Sequence, residues 1–320
     1  MNANAIVFQQ PSQLSVRSLA LRAMVDGDLE VEVSHSGIST GTERLLWDGS
    51  MTPFSGMGYP LVPGYETVGQ VVRTQGACGN GINHISEGDW VFVPGSSSFE
   101  GAYNLFGGAG SRLIVPHDRA VRLSRDHGAA AVLLALAATA YHTVSCGGVR
   151  EPASPPDLII GHGVMGRLLA RLTVAAGAPA PVVWETQTRR QGSAEGYTVL
   201  SPDDDARQDY RAIYDVSGDA DILHRVIPRM AKGGEVVLAG FYKQDVSFAY
   251  APAFLREVQI RVAAEWKRAD LLAVTQLVES GRLSLDGLIT HNHTPSQATE
   301  AYEVAFHDPD CLKMVLDWRH

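Results

Sequence analysis

Apolar and polar residues alternate along LEVEVSHSG (29–37) with the period of two that lays one face of a strand on a core. TVGQVVR (67–73), DWVFVPG (89–95) and SRLIVP (111–116) continue the pattern, bounded by Gly, Pro and Asn. Short strands with such punctuation predict a small antiparallel, barrel-like domain. Near residue 125 the period changes. DHGAAAVLLALAATAYHTV is helical in spacing and composition. A Gly/Pro-rich break follows, GGVREPASPPD (147–157). Beyond it, strands and helices alternate: strand LIIG, helix VMGRLLARLTVAAG, strands PVVWE and AIYDVSG, helix ADILHRVIPRMA, strand GGEVVLAG. That order predicts a doubly wound parallel sheet. In its first helix Met165, Leu168, Leu169, Leu172 and Ala176 form one apolar stripe, with Arg167 and Arg171 outside it. LLAVTQLVESG (271–281) and PSQATEAYEVAFHD (295–308) are two more helices, and CLKMVLDW (311–318) is a closing strand. The fold class is α/β. The change of period near residue 125 divides a β domain at 1–124 from an alternating domain at 125–266, with a helix–strand return at about 267–320.

Composition narrows the picture. A chain of 320 residues suits two domains, and 45% apolar with 19% charged residues is ordinary for a soluble globular protein. A net charge of −9 argues against a nucleic-acid binder, which needs a basic face. The longest apolar run, AAAVLLALAATAY (129–141), is too short to span a bilayer, and its alanines suit a buried helix. MNANAIVFQQ shows no signal-peptide pattern. Three widely spaced cysteines, Cys78, Cys146 and Cys311, form neither a disulfide framework nor a CxxC zinc site. A reduced, cytoplasmic protein is expected.

One motif carries chemistry. Gly161, Gly163 and Gly166 stand in GxGxxG spacing, after an apolar strand and at the start of an amphipathic helix, around Val164 and Met165. The first glycine permits the tight turn. The second lets a pyrophosphate approach the backbone, and the third lets helix and strand pack closely. The next strand ends at Glu185, where a carboxylate accepts both adenine-ribose hydroxyls and repels a 2′-phosphate; this favours NAD over NADP. Arg189 and Arg190 soften that preference. DVSG (215–218) with Ser217 and LAGFY (238–242) with Gly240 and Phe241 end strands on the side where a nicotinamide would lie.

A β domain, a GxGxxG domain after residue 125 and a helix–strand return together resemble the medium-chain dehydrogenase/reductase superfamily over essentially the whole chain. The resemblance implies a GroES-like N-terminal domain, a Rossmann domain with Thr139 on the nicotinamide-side helix, and a homodimer paired through sheet edges. It also locates the catalytic zinc of metal-dependent members. Where those have GIC, this chain has GIS, with Ser39; where they have PGHE, it has PGYE, with Tyr65. Where a cysteine stands four residues before the helix threonine, it has Ala135. Serine and tyrosine are poor zinc ligands at neutral pH, so no metal is expected. Longer runs, among them SHSGISTGTERLLWDG, GMGYPLVPGYE, LLALAATAYH and DPDCLKMVLDWR, resemble a pigment-synthesis branch of the superfamily. That branch oxidises a hydroxyethyl group on ring A of a tetrapyrrole to acetyl, with NAD.

Without zinc, the hydroxyl proton needs another route. Tyr65, Ser39, Thr42, Glu66 and His35 cluster in sequence around the implied site and are the candidates. Each has a plainer alternative: Ser39 in a turn, His35 on a strand surface, Tyr65 in packing, Glu66 as a structural anchor. His162, inside the glycine motif, is expected to face phosphate or solvent. A planar tetrapyrrole needs a broad apolar groove. Trp47, Phe54, Met57, Tyr59, Phe99, Tyr103 and Phe106 are candidate walls, and Arg44 a candidate partner for its carboxylate; aromatics folded back as loop anchors are the competing reading. Two other functions stand beside the dehydrogenase: a zinc-free quinone or enone reductase, and a non-catalytic, nucleotide-gated pigment carrier.

Overall fold

The strand predicted at 29–37 is the centre of its sheet. In the computed structural model, which describes residues 1–53, 55–76, 78–79, 84–146 and 153–319, the chain divides into two units. One comprises Met1–Ala135 with Asp286–His320, the other Leu136–Leu285. The helix Arg268–Glu279, expected in the returning segment, therefore lies in the second unit; there its Asp270 accepts a hydrogen bond from His142 at 2.8 Å. Phe54 and residues 147–152 of the expected break lie outside the described residues.

The first unit contains β1 (Asn2–Gln10), β2 (Gln13–Ala20), β3 (Asp28–Ile38), helix α1 (Thr42–Asp48), β4 (Leu61–Val62), β5 (Thr67–Thr74), β6 (Trp90–Val93), β7 (Tyr103–Asn104), β8 (Arg112–Pro116) and β9 (Val121–Leu123). Every position of β3 except Glu32 is buried, so it is not the half-exposed strand that alternation suggests. The reason is its neighbours: β5 and β8 pair with it antiparallel, and so does a strand from the far end of the chain. That strand, numbered β17 below, runs Met314–Asp317 and sets Met314 opposite Ile38 and Asp317 opposite His35. A smaller sheet, ordered β2-β1-β4-β7, carries Phe8 into the core against Trp47 and Tyr302, with ring centroids at 5.5 and 5.3 Å.

A 3₁₀ segment at Gly128–Leu133 runs directly into α2 (Leu134–Ser145). Together they are long and apolar enough to cross a membrane by length and composition, which the shorter apolar run did not suggest. Half of this stretch is buried inside the protein, with Val132, Leu133, Ala135, Ala137, Ala138 and Ala140 inaccessible, as in a core helix.

In the second unit, β10 (Leu158–Ile160), α3 (Val164–Ala175), β11 (Val182–Trp184), β12 (Thr198–Leu200), β13 (Tyr210–Asp215), α4 (Ile222–Val226), β14 (Met230–Leu238), α5 (Tyr250–Arg256), β15 (Gln259–Val262) and α6 (Arg268–Glu279) follow in turn. The sheet is parallel throughout, in the order β12-β11-β10-β13-β14-β15. Strand order reverses between β10 and β13, the crevice where a doubly wound sheet takes its ligand. Arg167 on α3 is buried, not outside the apolar stripe, and Ala176 is exposed. The chain then returns through β16 (His291–His293), α7 (Ala298–His307) and β17.

Candidate active site

The PGYE turn delivers two polar side chains into the first unit. Gly64, at φ +101°, makes the turn in a conformation that other residues rarely adopt. Tyr65 and Glu66 then enter β5 buried. The Tyr65 hydroxyl lies 2.6 Å from Ser39 Oγ, where β3 gives way to α1. Thr42, on the first turn of α1, also hydrogen-bonds the phenol. Phe106 covers the Tyr65 ring edge-to-face at 5.1 Å. Burial, and then the Glu66 carboxylate, push the Tyr65 phenol well above its ordinary range, so it keeps its proton and is not a base at neutral pH.

Glu66 is wholly buried and in ion-pair contact with the Lys313 ammonium through Oε2. Its Oε1 accepts no hydrogen bond among the described residues. Burial raises the Glu66 carboxyl and Lys313 pulls it back. The strand crossing explains why position 37 is glycine: a Cβ there would stand 2.2 Å from Glu66 Oε2 and 3.1 Å from Lys313 Cε. A second buried carboxylate, Glu43 on α1, accepts from the Ser39 amide at 3.3 Å and from the Tyr302 hydroxyl at 2.9 Å. Burial, reinforced by the charge of Glu66, pushes Glu43 up to about 8.

Ser39, Thr42 and Tyr65 are thus brought together, and Glu66 sits next to them in the chain with a partner of its own. His35 has different partners: Ser34 Oγ at 3.2 Å and Asp317 Oδ2 at 3.8 Å, with burial lowering its proton affinity. Of the candidate substrate walls, Trp47 and Phe99 are core residues and form no wall. Trp47 packs on Phe8, and Phe99 sits against the Gly110 backbone. Tyr59 is half-buried with its hydroxyl donated to the Leu46 carbonyl. Tyr103 and Arg44 are exposed, and Phe106 is half-buried. Lys313, Glu43 and Tyr302 are not among the residues that the sequence singles out, although a lysine inside CLKMVLDW and a glutamate inside TERLLW are the same kind of signal as Glu66.

Among the described residues no group of three or more His, Cys, Asp or Glu is placed to hold a metal ion. At the three positions where the superfamily binds catalytic zinc, this chain offers two protonated hydroxyls already bonded to each other and the methyl of Ala135. That donor set does not fit zinc.

The second unit holds a dinucleotide cradle. Gly161 turns the chain at φ +100°, and a Cβ on Gly166 would stand 1.8 Å from the Gly161 carbonyl. A Cβ on Gly163 would meet nothing, which leaves the start of α3 open to a phosphate. Val164 is buried and Met165 half-buried on that first turn. The Glu185 carboxylate, at the end of β11, accepts the His162 amide at 3.2 Å and the Gln187 amide at 2.8 Å. Ser217 donates to Asp215 at 2.7 Å, and the Gly161 turn passes close to the Ser217 backbone. Gly240 packs on Gly218, Phe241 is exposed, and Thr139 is half-buried on α2. His162 faces neither phosphate nor solvent. It is fully buried, between the Arg190 carbonyl and the Tyr197 hydroxyl.

No family model matches the chain. Curated relatives do. The 2-desacetyl-2-hydroxyethyl bacteriochlorophyllide A dehydrogenase of Cereibacter sphaeroides is 51% identical over 324 residues, covering 100% of this chain and 99% of the relative. The protein of that name in Rhodobacter capsulatus is 51% identical over 320 residues, again covering 100% and 99%. Among solved structures, 2R,3R-butanediol dehydrogenase of Bacillus subtilis superposes with a TM-score of 0.83 at 18% identity, over 98% of this chain and 99% of that one. An alcohol dehydrogenase of E. coli, solved with NADH, does so at 0.80 and 18%, over 99% of each. The fold is therefore that of the medium-chain alcohol dehydrogenases, a GroES-like unit with a Rossmann unit, and the chain belongs to the family of 2-desacetyl-2-hydroxyethyl bacteriochlorophyllide A dehydrogenases.

Proposed function

We propose that this chain oxidises the hydroxyethyl side chain on ring A of a bacteriochlorophyllide-type tetrapyrrole to acetyl, with NAD as hydride acceptor and without a metal. The observation that carries the substrate is the 51% identity, over the whole chain, to two dehydrogenases named for that compound. The glycine cradle supports a dinucleotide, and Glu185 at the end of β11 supports NAD over NADP.

A nicotinamide dinucleotide held by the Gly161–Gly166 turn and Glu185 would supply the hydride acceptor for the carbinol carbon, and the hydroxyl proton has to leave as the C=O bond forms. The protein has to receive that proton. Tyr65 is not basic enough to remove it outright, but a hydroxyl both donates and accepts. The substrate hydroxyl gives its proton to the Tyr65 oxygen as Tyr65 passes its own to Ser39, 2.6 Å away, and onward to solvent. Such relays contribute ~10²–10⁴-fold. Glu66 stays with Lys313 and shapes the field around the phenol. The conjugated macrocycle spreads positive charge as hydride leaves, which lessens the need for a Lewis acid.

Two further parts of this reading concern the whole protein. Edge strand β15 and the neighbouring α5 expose Val262, Tyr250, Phe254 and Leu255, which supports a homodimer built on that edge. A cytoplasmic location goes with thiols kept out of disulfides.

Incubating the protein with NAD and hydroxyethyl bacteriochlorophyllide tests the activity, with the red absorption band and NADH followed together. Equal amounts of ketone and NADH are expected, with chelators leaving the rate intact. Pigment binding without NADH would mean a carrier, reduction of enones with NADPH would mean a reductase, and inhibition by chelators would restore the metal.

A further inference from the structure

The dinucleotide unit spends three buried side chains on one short segment. Arg167, one residue past the last glycine of the turn, is buried, and its hydrogen bonds among the described residues go to no carboxylate. Its guanidinium donates instead to backbone carbonyls: His162 at 3.1 Å, Arg190 at 3.2 Å, Gly192 at 3.2 Å and Ser193 at 3.3 Å. His162 reaches the same place. Its Nδ1 lies 2.5 Å from the Arg190 carbonyl and its Nε2 2.9 Å from the Tyr197 hydroxyl. A carbonyl only accepts, so Nδ1 carries the hydrogen and Nε2 accepts from Tyr197. Burial lowers the imidazole to about 4, consistent with this neutral form.

The braced segment begins at Glu185. His162 holds it at two points: the main-chain amide donates to the Glu185 carboxylate at 3.2 Å, while the ring holds Arg190. Gln191 ties the segment back on itself by donating to the Glu185 carbonyl at 2.9 Å. Arg189 and Arg190, the two cations best placed in sequence to accept a 2′-phosphate, ride on this segment.

We propose that His162, Arg167 and Tyr197 are specificity-determining positioning residues, a brace that fixes the segment from Glu185 to Ser193 so that the adenine ribose meets a rigid carboxylate and a 2′-phosphate is refused. The proposal rests on the reading that the cofactor's ribose lies against Glu185. Loosening the brace lets Glu185 turn away from the ribose and lets the arginines reorganise around a phosphate.

The test is equilibrium binding of NAD and NADP, followed by tryptophan fluorescence, with hydrogen exchange of residues 186–193 on the same samples. His162→Leu should raise the Kd for NAD about tenfold and cut the NAD-over-NADP preference at least ~5-fold, the scale of one lost buried hydrogen bond. The segment should exchange faster. His162→Asn, which keeps a donor near the place of Nδ1, should recover most of the preference. Tyr197→Phe, the milder change, should shift the preference ~2–3-fold and serves if His162→Leu does not fold. Unchanged binding and unchanged exchange in a folded His162→Leu protein, or in Tyr197→Phe where that variant alone folds, would overturn the brace. Glu185→Ala separates the two layers. If it leaves both dissociation constants unchanged, the ribose is held elsewhere, and the NAD reading fails together with the specificity role that rests on it; if it weakens NAD while His162→Leu leaves binding and exchange unchanged, the reading stands and the brace alone is overturned.

Discussion

Tyr65 keeps its proton, and that restricts what it can do. A buried phenol raised by desolvation and by Glu66 can donate a hydrogen bond but does not act as a base, and the proposed relay through it carries a prediction. Tyr65→Phe should therefore lower kcat by roughly 10²-fold and leave KM within about twofold, because only a step in the reaction is lost. A large KM rise with kcat unchanged would make Tyr65 a packing residue. Glu43 gives a prediction in pH. Its folded-state carboxyl, at about 8, lies above its ordinary value, so the folded protein holds a proton that the unfolded chain releases. Stability from this group is full at acid pH and declines as pH rises from about 4.5 through about 8. In Glu43→Gln the urea midpoint should fall less over that window than in the parent. Parallel profiles would show that Glu43 does not titrate there.

At the scale of elements, the glycine turn leaves least freedom. Gly166→Ala places a methyl 1.8 Å from the Gly161 carbonyl, so α3 has to move off β10. The cost should be about 2–4 kcal/mol, with NAD binding lost in proportion, as seen by calorimetry on the folded fraction. An alanine variant with unchanged binding and stability would mean the helix can shift freely. Most of this was legible in advance. GxGxxG between an apolar strand and an amphipathic helix specifies a local geometry, because the glycines are demanded by backbone contacts a few residues apart. What the pattern hid came from distant neighbours. Arg167 has the spacing of a solvent-facing residue, yet four carbonyls from residues 162–193 hold it inside. Trp47 and Phe99 look like aromatics free to line a substrate groove, yet the core claims them. Strands β1 and β2 lie outside the predicted pattern: in β1 the alternation of Asn2–Ala5 gives way to three buried residues in a row, Ile6, Val7 and Phe8, and β2 buries no position fully.

For the molecule as a whole, β15 is one of the two edges of the parallel sheet and carries Val262 at 74% exposure, beside Phe254 and Leu255 on α5. An uncovered apolar edge invites a second copy. Val262→Lys with Phe254→Glu should convert a dimer to a monomer in light scattering, with the unfolding midpoint of each protomer falling modestly; a monomeric parent protein would remove the dimer from the reading. The discontinuous build of the first unit has a consequence for synthesis. Glu66 is made early, but the lysine that neutralises it immediately precedes the last strand. A nascent chain on the ribosome therefore has to keep β3 and β5 open, or bury a lone carboxylic acid, until residue 313 emerges. The intervening parallel sheet is complete by then, so the nucleotide domain is in a position to mature first and the catalytic unit last.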